Sequence, residues 1–219
     1  MRVLCLSQAG QDVFAKYVIG RVGKYLDIGS MLPTYHNNSR SLELEGWEGL
    51  SIDWADYTQE FLKRRRNPFL CADVTKIDWN ETVEKYPFLK DTVDYISFDV
   101  DDATRVGVDR FPFDRIKFRC MTIEHDHYRV GPELRDYLRK KFTDLGYVLI
   151  CADVVVPDTA TDKYGAFEDW WVNPALVDMD RAETIRSNNI TYLEIFKKMD
   201  PTPYAFYCCL LYTSDAADE

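Results

Sequence analysis

Residues 93–102 read VDYISFDVDD, a nearly continuous apolar run that ends on Asp99. Such runs are typical of strands that are covered on both faces of a sheet. Four further apolar runs end on an acidic residue, and these residues are Asp27, Asp53, Asp73 and Glu124. The five acidic residues are spaced 26, 20, 26 and 25 residues apart, about the length of a strand, a crossover helix and their loops. The spacing predicts an open α/β sheet whose acidic strand ends meet at one edge, where such sheets bind ligands.

The segments around this stretch alternate between strand and helix patterns. The predicted strands are 25–28, 49–52, 69–72, 94–100, 118–124, 147–152 and 167–174. The predicted helices are 11–22, part of 39–45, 55–65, 79–86, 131–145 and 181–199, and the polar residues 158–165 predict a loop. The alternation predicts an α/β fold with a doubly wound, seven-stranded, mostly parallel sheet whose last strand is antiparallel. Its first crevice is expected after strand 25–28, beside strand 94–100.

The composition indicates a globular, acidic protein. The chain has 219 residues, of which 46% are hydrophobic, and a net charge of −10. No run of about 18 apolar residues occurs, and the start lacks the apolar stretch of a secretory signal, so neither membrane association nor export is expected. A nucleic-acid surface needs clustered cations, and the basic run 63–66 is better explained as a solvated helix end. The six scattered cysteines predict reduced thiols in a cytoplasmic protein.

The last segment, residues 209–219, reads CLLYTSDAADE and has neither helical nor strand periodicity. It resembles the translation of a transposon-based sequencing adapter. We therefore interpret residues 1–208 as a single domain and residues 209–219 as an assembly remnant. A metagenomic or transcriptome read is then the expected source, and the natural chain is expected to continue beyond about residue 208.

The loop after the first predicted strand restricts the ligands that the crevice can hold. Residues 27–33 read DIGSMLP and contain one glycine, whereas a dinucleotide pyrophosphate needs the G-x-G-x-x-G pattern for close backbone approach. The sequence has no Walker-type phosphate loop either. A dehydrogenase stays an alternative, because Asp53 lies at a suitable distance along the chain for a ribose contact.

A cofactor that has an adenosine and an amino-acid end, but no phosphate, fits an acidic crevice better. S-adenosylmethionine is such a cofactor, and its sulfonium and ammonium groups are cationic. A carboxylate at the end of the second strand suits its ribose diol. A hydrogen-bond acceptor after the third strand suits its adenine amino group.

Several motifs, in this order along the chain, resemble those of the FkbM-type methyltransferases. The segments that carry the resemblance are 7–14 (SQAGQDVF), 25–30 (YLDIGS), 46–53 (GWEGLSID), 93–101 (VDYISFDVD), 123–125 (IEH) and 167–170 (FEDW). The resemblance implies a class I methyltransferase fold, which is Rossmann-like, and S-adenosylmethionine as the cofactor. It also implies methylation of a hydroxyl group on a small molecule or glycan.

The resemblance further implies a cofactor site by position. Its residues are Asp27, Gly29 and Ser30 at the methionine end, Asp53 at the ribose, Asp73 with Val74 at the adenine, and Asp99 at the methionine end or the acceptor.

Methyl transfer to a hydroxyl needs a group that removes the hydroxyl proton, because the cofactor already activates the methyl group. His125 and Asp99 are the predicted catalytic residues. His125 is preferred to His127, since alternate strand residues point apart and the resemblance includes His125. Asp99, Asp101 and His125 also form a candidate Mg²⁺ site, although acidic loops are often only solvated.

One segment departs from the family pattern, which commonly reads D-x-[DE]-G-x-E after the fourth strand. Here Asp102 stands at the glycine position and Thr104 at the second glutamate position. The alternative function is therefore a catalytically degenerate binding module on the same fold. The sequence indicates neither the methyl acceptor nor the oligomeric state.

Overall fold

The computed structural model describes residues 4–158, 163–199 and 207–208. The strands are β1 (Leu4–Cys5), β2 (Lys24–Ile28), β3 (Glu48–Asp53), β4 (Phe69–Cys71), β5 (Val93–Phe98), β6 (Phe118–Glu124), β7 (Val148–Asp158), β8 (Lys163–Val172), β9 (Ser187–Asn188) and β10 (Tyr207–Cys208). The helices are α1 (Gln11–Ile19), α2 (Arg40–Leu44), α3 (Thr58–Arg64), α4 (Trp79–Lys85), α5 (Thr104–Arg110), α6 (His127–Val130), α7 (Pro132–Asp144), α8 (Met179–Glu183) and α9 (Tyr192–Met199). Within these ranges, each helix is too short or too polar to cross a lipid bilayer. The segment 209–219 lies outside the described residues.

An eight-stranded sheet forms the centre of the fold, in the order β4-β3-β2-β5-β6-β8-β7-β9. The strands from β4 to β6 in this order are parallel, whereas β8 is antiparallel to both of its neighbours. The α/β architecture with one antiparallel strand confirms the sequence prediction. The strand number of seven was one too low, because Ser187 and Asn188 pair with the edge of β7 and form β9. Two residues are too few to show a periodic strand pattern.

The chain changes its direction of progress across the sheet between β2 and β5. From β2 it moves outward through β3 and β4, then returns to the other side of β2 with β5 and continues to β6. Open α/β sheets bind ligands outside the carboxyl ends of the strands at such a switch point. The crevice is therefore where the sequence predicts it, after β2 and beside β5.

Apolar side chains cover both faces of the sheet. Successive strand residues point to opposite faces, and Trp170 and Trp171 of β8 accordingly belong to two different core clusters. Trp170 stacks on Phe14 of α1, with ring centroids 4.8 Å apart, and Trp171 contacts Phe142 of α7 at 5.6 Å. The sheet is thus the middle layer between two helical layers, as its continuous apolar strands predict.

Two predicted segments near the end of the described chain differ from the structure. The predicted helix 181–199 is divided into α8, β9 and α9, since Ser187 and Asn188 pair with β7 and Asn189 then has a left-handed φ of 54°. The predicted loop 158–165 is shorter than expected, since β7 extends to Asp158 and β8 begins at Lys163. Polar residues can continue a strand when a partner strand satisfies their backbone hydrogen bonds, and the local sequence pattern does not predict such an extension.

Gly29 permits a close backbone approach between the loop after β2 and the end of β5. Its φ is 83°, and a Cβ atom at this position would lie 1.5 Å from the carbonyl oxygen of Asp99. The Gly29 N–H donates to the Ile52 carbonyl, and the Asp99 N–H donates to the Ile28 carbonyl, both at 2.9 Å. The switch point is therefore closed by backbone contacts that only glycine accommodates.

Gly29→Ala should destabilise the fold strongly, because the added methyl group meets backbone atoms. Gly146→Ala is the matched control, since Gly146 has a φ of 85° and no described atom within 4 Å of its Cβ position. In urea denaturation, the control should lose about 1–2 kcal/mol, the cost of a left-handed backbone alone. Gly29→Ala should lose at least about 2 kcal/mol more from overpacking. Equal losses would contradict the close approach.

Candidate functional site

A cleft of about 1100 Å³ opens at the carboxyl ends of β2, β3, β4 and β5. Six of the seven residues that the sequence assigns to the cofactor line it, namely Gly29, Ser30, Asp53, Asp73, Val74 and Asp99. The seventh, Asp27, is buried at the end of β2 and is outside the cleft lining. The parallel strand ends thus bring together residues that are far apart along the chain.

Asp53 connects two loops at the cleft through its carboxylate. Its Oδ2 accepts a hydrogen bond from the Met31 N–H at 2.8 Å, and its Oδ1 accepts one from the Ala55 N–H at 2.9 Å. Each carboxylate oxygen has a second lone pair, so Asp53 can still accept hydrogen bonds from a bound hydroxyl group. Trp54, the next residue, also lines the cleft and is 80% exposed, which leaves an aromatic face available beside the carboxylate.

Asp73, at the end of β4, is a firmly ionised carboxylate. It accepts hydrogen bonds from the Thr75 hydroxyl at 2.6 Å and the Thr75 N–H at 2.9 Å, and it lies 2.9 Å from the Lys76 ammonium. The Thr75 hydroxyl and Lys76 lower the pKa of Asp73 to about 2. Val74 is buried and lines the same part of the cleft. This part therefore combines a strong hydrogen-bond acceptor with an apolar side chain.

Asp27 is a buried carboxyl group with too few partners. Its Oδ2 accepts a hydrogen bond from the Ser39 hydroxyl at 2.6 Å, and its Oδ1 has no hydrogen-bond partner among the described residues. Burial raises the pKa of Asp27 to about 6, against the opposing effects of the Ser39 hydrogen bond and the Arg65 charge. A negative charge on Asp27 is therefore costly until a positive group binds nearby.

Asp27→Asn should make the stability depend less on pH. The folded state retains the Asp27 proton up to about pH 6, whereas an unperturbed carboxyl loses it at 3.8. The free energy of unfolding therefore falls as the pH rises, and this group contributes about 1.4 kcal/mol of the decrease between pH 5 and pH 7.5. Urea denaturation at both pH values measures the decrease. The contribution from Asp27 should be missing in Asp27→Asn and present in the exposed control Asp114→Asn. An unchanged decrease in Asp27→Asn would argue against a buried titrating group.

Arg65 holds the loop between β2 and α2, which forms one wall of the cleft. Its buried guanidinium donates to the Glu43 carboxylate at 2.6 Å and to the Ser39 hydroxyl at 3.0 Å. It also donates to the Asn37 side-chain oxygen at 2.9 Å and to the Pro33 carbonyl at 3.1 Å. One side chain thus fixes three residues of the loop and its first helix.

The interpretation of the basic run 63–66 as a solvated helix end is wrong for Arg65. Its neighbours Lys63 and Arg64 are exposed, but Arg65 lies one helical turn after the buried Phe61 and stacks over that ring at 5.2 Å. The spacing of four residues from Phe61 is the sequence signal that places Arg65 on the buried face. The buried acceptors that keep it there come from distant parts of the chain.

Arg65→Met should destabilise the protein by about 3 kcal/mol, because the buried Glu43 carboxylate loses its cation at 2.6 Å and keeps Arg40 at 3.5 Å. Arg64→Met, one residue earlier and exposed, should change the free energy of unfolding by less than about 0.5 kcal/mol. Thermal or urea unfolding measures the free energy of unfolding of both variants and of the wild type. A similar small effect in both would show that the buried ion pair does not hold the loop.

Asp99 and Glu124 form a hydrogen-bonded carboxyl pair at the cleft. Burial raises the pKa of Asp99 to about 6, while the hydrogen bond from Glu124 acts in the opposite direction. Burial, and then the charge of Asp99, raise the pKa of Glu124 well above its ordinary range. Because two carboxyl groups in contact do not ionise together readily, the pair favours a state that keeps one proton.

The turn after β5 does not need the glycine that the resembling family has. Asp102 is exposed and is absent from the described residues with a left-handed φ, whereas Asp101 has a φ of 49°. Thr104 is buried as the first residue of α5. Asp102 is therefore compatible with the turn, and the conformational demand falls on Asp101.

His125 is buried directly after the end of β6, beside two carboxylates that are separate from the Asp99–Glu124 pair. Its Nδ1 accepts a hydrogen bond from the His127 N–H at 3.2 Å, and its Nε2 lies 3.4 Å from Asp169 and 3.7 Å from Asp153. The ring is outside the lining of the main cleft and reaches only an adjoining cavity of about 260 Å³. Its role as a base stays a prediction.

Arg139 of α7 already neutralises the carboxylate that faces His125. It donates two hydrogen bonds to Asp169, at 2.7 and 2.8 Å, and lies 3.0 Å from Asp153. Burial alone would raise the pKa of Asp169, but the hydrogen bonds from Arg139 and the nearby His125 imidazole hold it at about 2. The cluster is a buried ion network in which Arg139 offsets carboxylate charge.

The structure separates the three residues of the candidate Mg²⁺ site. Oxygens of Asp101, Glu124 and Asp126 come within 4.8 Å of one another, whereas the His125 ring nitrogen groups with oxygens of Asp153 and Asp169. Asp99 contacts Glu124. Asp101 and His125 therefore belong to different groups of possible ligands.

The sequence matches no protein-family model and no curated protein. Among solved structures, the fold is similar to that of protein 1320 from Thermoplasma acidophilum, with 16% identity, 78% of this chain and 92% of that chain covered, and a TM-score of 0.50. At this identity, the similarity shows a shared fold.

Two methyltransferase structures match with lower TM-scores. One is the 1,6-didemethyltoxoflavin-N1-methyltransferase of Burkholderia thailandensis, with bound 1,6-didemethyltoxoflavin and S-adenosylhomocysteine. It is 13% identical, covers 76% of this chain and 79% of that chain, and has a TM-score of 0.49. The other is a TehB-like S-adenosylmethionine-dependent methyltransferase of Corynebacterium glutamicum, which is 14% identical, covers 75% and 88%, and has a TM-score of 0.46.

Proposed function

We propose that the cleft binds S-adenosylmethionine and that the protein is a class I methyltransferase of the FkbM type. Its acceptor is a hydroxyl group on a small molecule or glycan. The observation that carries the proposal is the convergence of Asp53, Asp73 and Asp99 on one cleft at the switch point of the sheet. The loop after β2 supplies the close backbone approach of Gly29 but no glycine-rich cradle for a pyrophosphate.

The residues present fit this cofactor. The partnerless oxygen of Asp27 and the cleft carboxylate of Asp99 favour positive charge near the end of β2, as a sulfonium and an ammonium require. Asp53 retains lone pairs for a ribose diol, and the exposed ring of Trp54 lies beside it. The proposed cofactor residues are Asp27, Gly29 and Ser30 at the methionine end, Asp53 at the ribose, Asp73 and Val74 at the adenine, and Asp99 between cofactor and acceptor.

When bound, the cofactor supplies a methyl group that its sulfonium has already activated. The chain must then hold the acceptor hydroxyl in line with the methyl group and accept its proton. Asp99 fits the second task, because it lines the cleft and burial raises the pKa of its carboxyl group, which makes it a stronger proton acceptor. The acidic side chains of Asp101, Asp102 and Asp126 at the same end repel phosphate, so a neutral acceptor fits better than a nucleic acid.

Asp53→Ala should weaken S-adenosylmethionine binding at least about tenfold, because hydrogen bonds from the ribose to the side-chain oxygens of Asp53 are lost. Isothermal calorimetry on the full chain measures this affinity. Asp114→Ala, an exposed aspartate outside the cleft lining, is the control and should bind like the wild type. An unchanged affinity in Asp53→Ala would count against the ribose assignment.

A second measurement separates the enzyme from the alternatives. The protein is incubated with methyl-labelled S-adenosylmethionine and a panel of glycans and hydroxylated small molecules, and label in the acceptor is counted. Binding of the cofactor without transfer to any of these acceptors would favour a degenerate binding module. Binding of NAD in place of S-adenosylmethionine would refute the proposal in favour of a dehydrogenase.

A further inference from the structure

Three carboxyl groups lie side by side at the ends of β5, β6 and β8, and we call them the carboxyl row. Glu124 of β6 pairs with Glu168 of β8 in the sheet register. Asp99 directly follows Phe98, which pairs with Ile123 of β6, so Asp99 and Glu124 are neighbours on the other side. Asp99 and Glu124 line the cleft, and Glu168 is buried behind them.

The difference in burial between Asp99 and Glu124 decides which of them keeps the shared proton. Two carboxyl groups can hydrogen-bond to each other only when one of them keeps its proton. Glu124 is buried whereas Asp99 is only partly buried, so a charge costs more on Glu124 and the proton stays there. The Oε2 atom of Glu124 accepts the Asp101 N–H at 3.1 Å, which leaves Oε1 as the oxygen that donates to Asp99. Glu168 has a separate partner, since it accepts the Trp170 indole N–H at 2.6 Å.

The charged groups around the carboxyl row do not neutralise it. Asp27, Asp101 and Asp126 add negative charge from β2, from the turn after β5 and from the start of α6. Arg129 of α6 is a cation on this side, but its guanidinium lies 2.5 Å from Asp126, 3.3 Å from Asp101 and 3.6 Å from Asp102. The proton on Glu124 is therefore what keeps two adjacent carboxyl groups compatible.

We propose that Glu124 is a positioning residue for the methyl transfer: it donates a hydrogen bond to one oxygen of Asp99 and leaves the other oxygen free to face the acceptor. Asp99 takes the hydroxyl proton as the acceptor oxygen bonds to the methyl carbon, and the electrons of the broken bond stay on the sulfur of the cofactor. Asp99 then releases the proton to solvent, and Glu124 keeps its own. This inference rests on the proposed function, because it assumes a hydroxyl acceptor.

Carbon-13 NMR titration of the side-chain carboxyl groups tests the pair in the ligand-free protein. Asp99 should titrate near pH 6 in the wild type, and Asp99→Asn identifies its signal among those of other buried carboxyls such as Asp27. Glu124→Ala removes the donor and should raise the Asp99 midpoint by about one pH unit. Glu124→Gln keeps an N–H donor of similar shape, so the midpoint should stay within about 0.5 unit of the wild type. An unchanged midpoint in Glu124→Ala would overturn the proposal.

The pH profile of methyl transfer, measured with the acceptor found in the labelled screen, is the second readout. Asp99→Asn should lower kcat at least about 100-fold. Glu124→Ala should move the acid limb of the kcat profile to higher pH, and Glu124→Gln should restore it. A loss below about tenfold in Asp99→Asn would overturn the role of Asp99 as the proton acceptor.

Cofactor affinity distinguishes failure of this inference from failure of the proposed function. Calorimetry with S-adenosylmethionine should give dissociation constants for Glu124→Ala and Glu124→Gln within about threefold of the wild type. A wild-type protein that does not bind the cofactor refutes the proposed function, while the NMR titration still decides whether Glu124 donates to Asp99.

Discussion

The close backbone contact between Gly29 and Asp99 is the constraint on which the cleft depends. It closes the sheet at the switch point and brings the ends of β2 and β5 together. The carboxyl groups of Asp27 and Asp99 then lie near enough for the charge of one to raise the pKa of the other. The contact that completes the sheet therefore also concentrates negative charge at one end of it. Such a concentration opposes folding and favours a positively charged ligand.

The arrangement of the sheet could be predicted because it depends on short-range signals. The run that ends on Asp99 is apolar on both sides of the strand, and the 20 to 26 residues between acidic strand ends leave room for one crossover helix each. Parallel strands then require their acidic ends to meet, so the position of Asp53, Asp73 and Asp99 at one cleft follows from the sequence. The eighth strand does not follow, since Ser187 and Asn188 are strand residues only through their pairing with β7.

The finer chemistry of the site could not be predicted, because it depends on contacts across the chain. Glu124 and His125 are adjacent at the end of β6, and only the register with β5 and β8 decides which of them faces the cleft. In the sequence, Arg65 is one charged residue of a basic run. Its burial depends on the ion pair with Glu43, which belongs to another helix. Asp27 is the first of the acidic strand ends, and its burial depends on Ser39 and the loop folded over it.

The hydrogen bonds of Arg65 have a consequence for ligand recognition. They tie α3, the Glu43 carboxylate of α2 and the loop between β2 and α2 into one rigid unit beside the cleft. A loop held in this way has already lost its conformational entropy when the protein folds, so a ligand does not have to order it on arrival. This wall of the cleft is therefore preorganised, and affinity there is set by how well a ligand fits the existing shape.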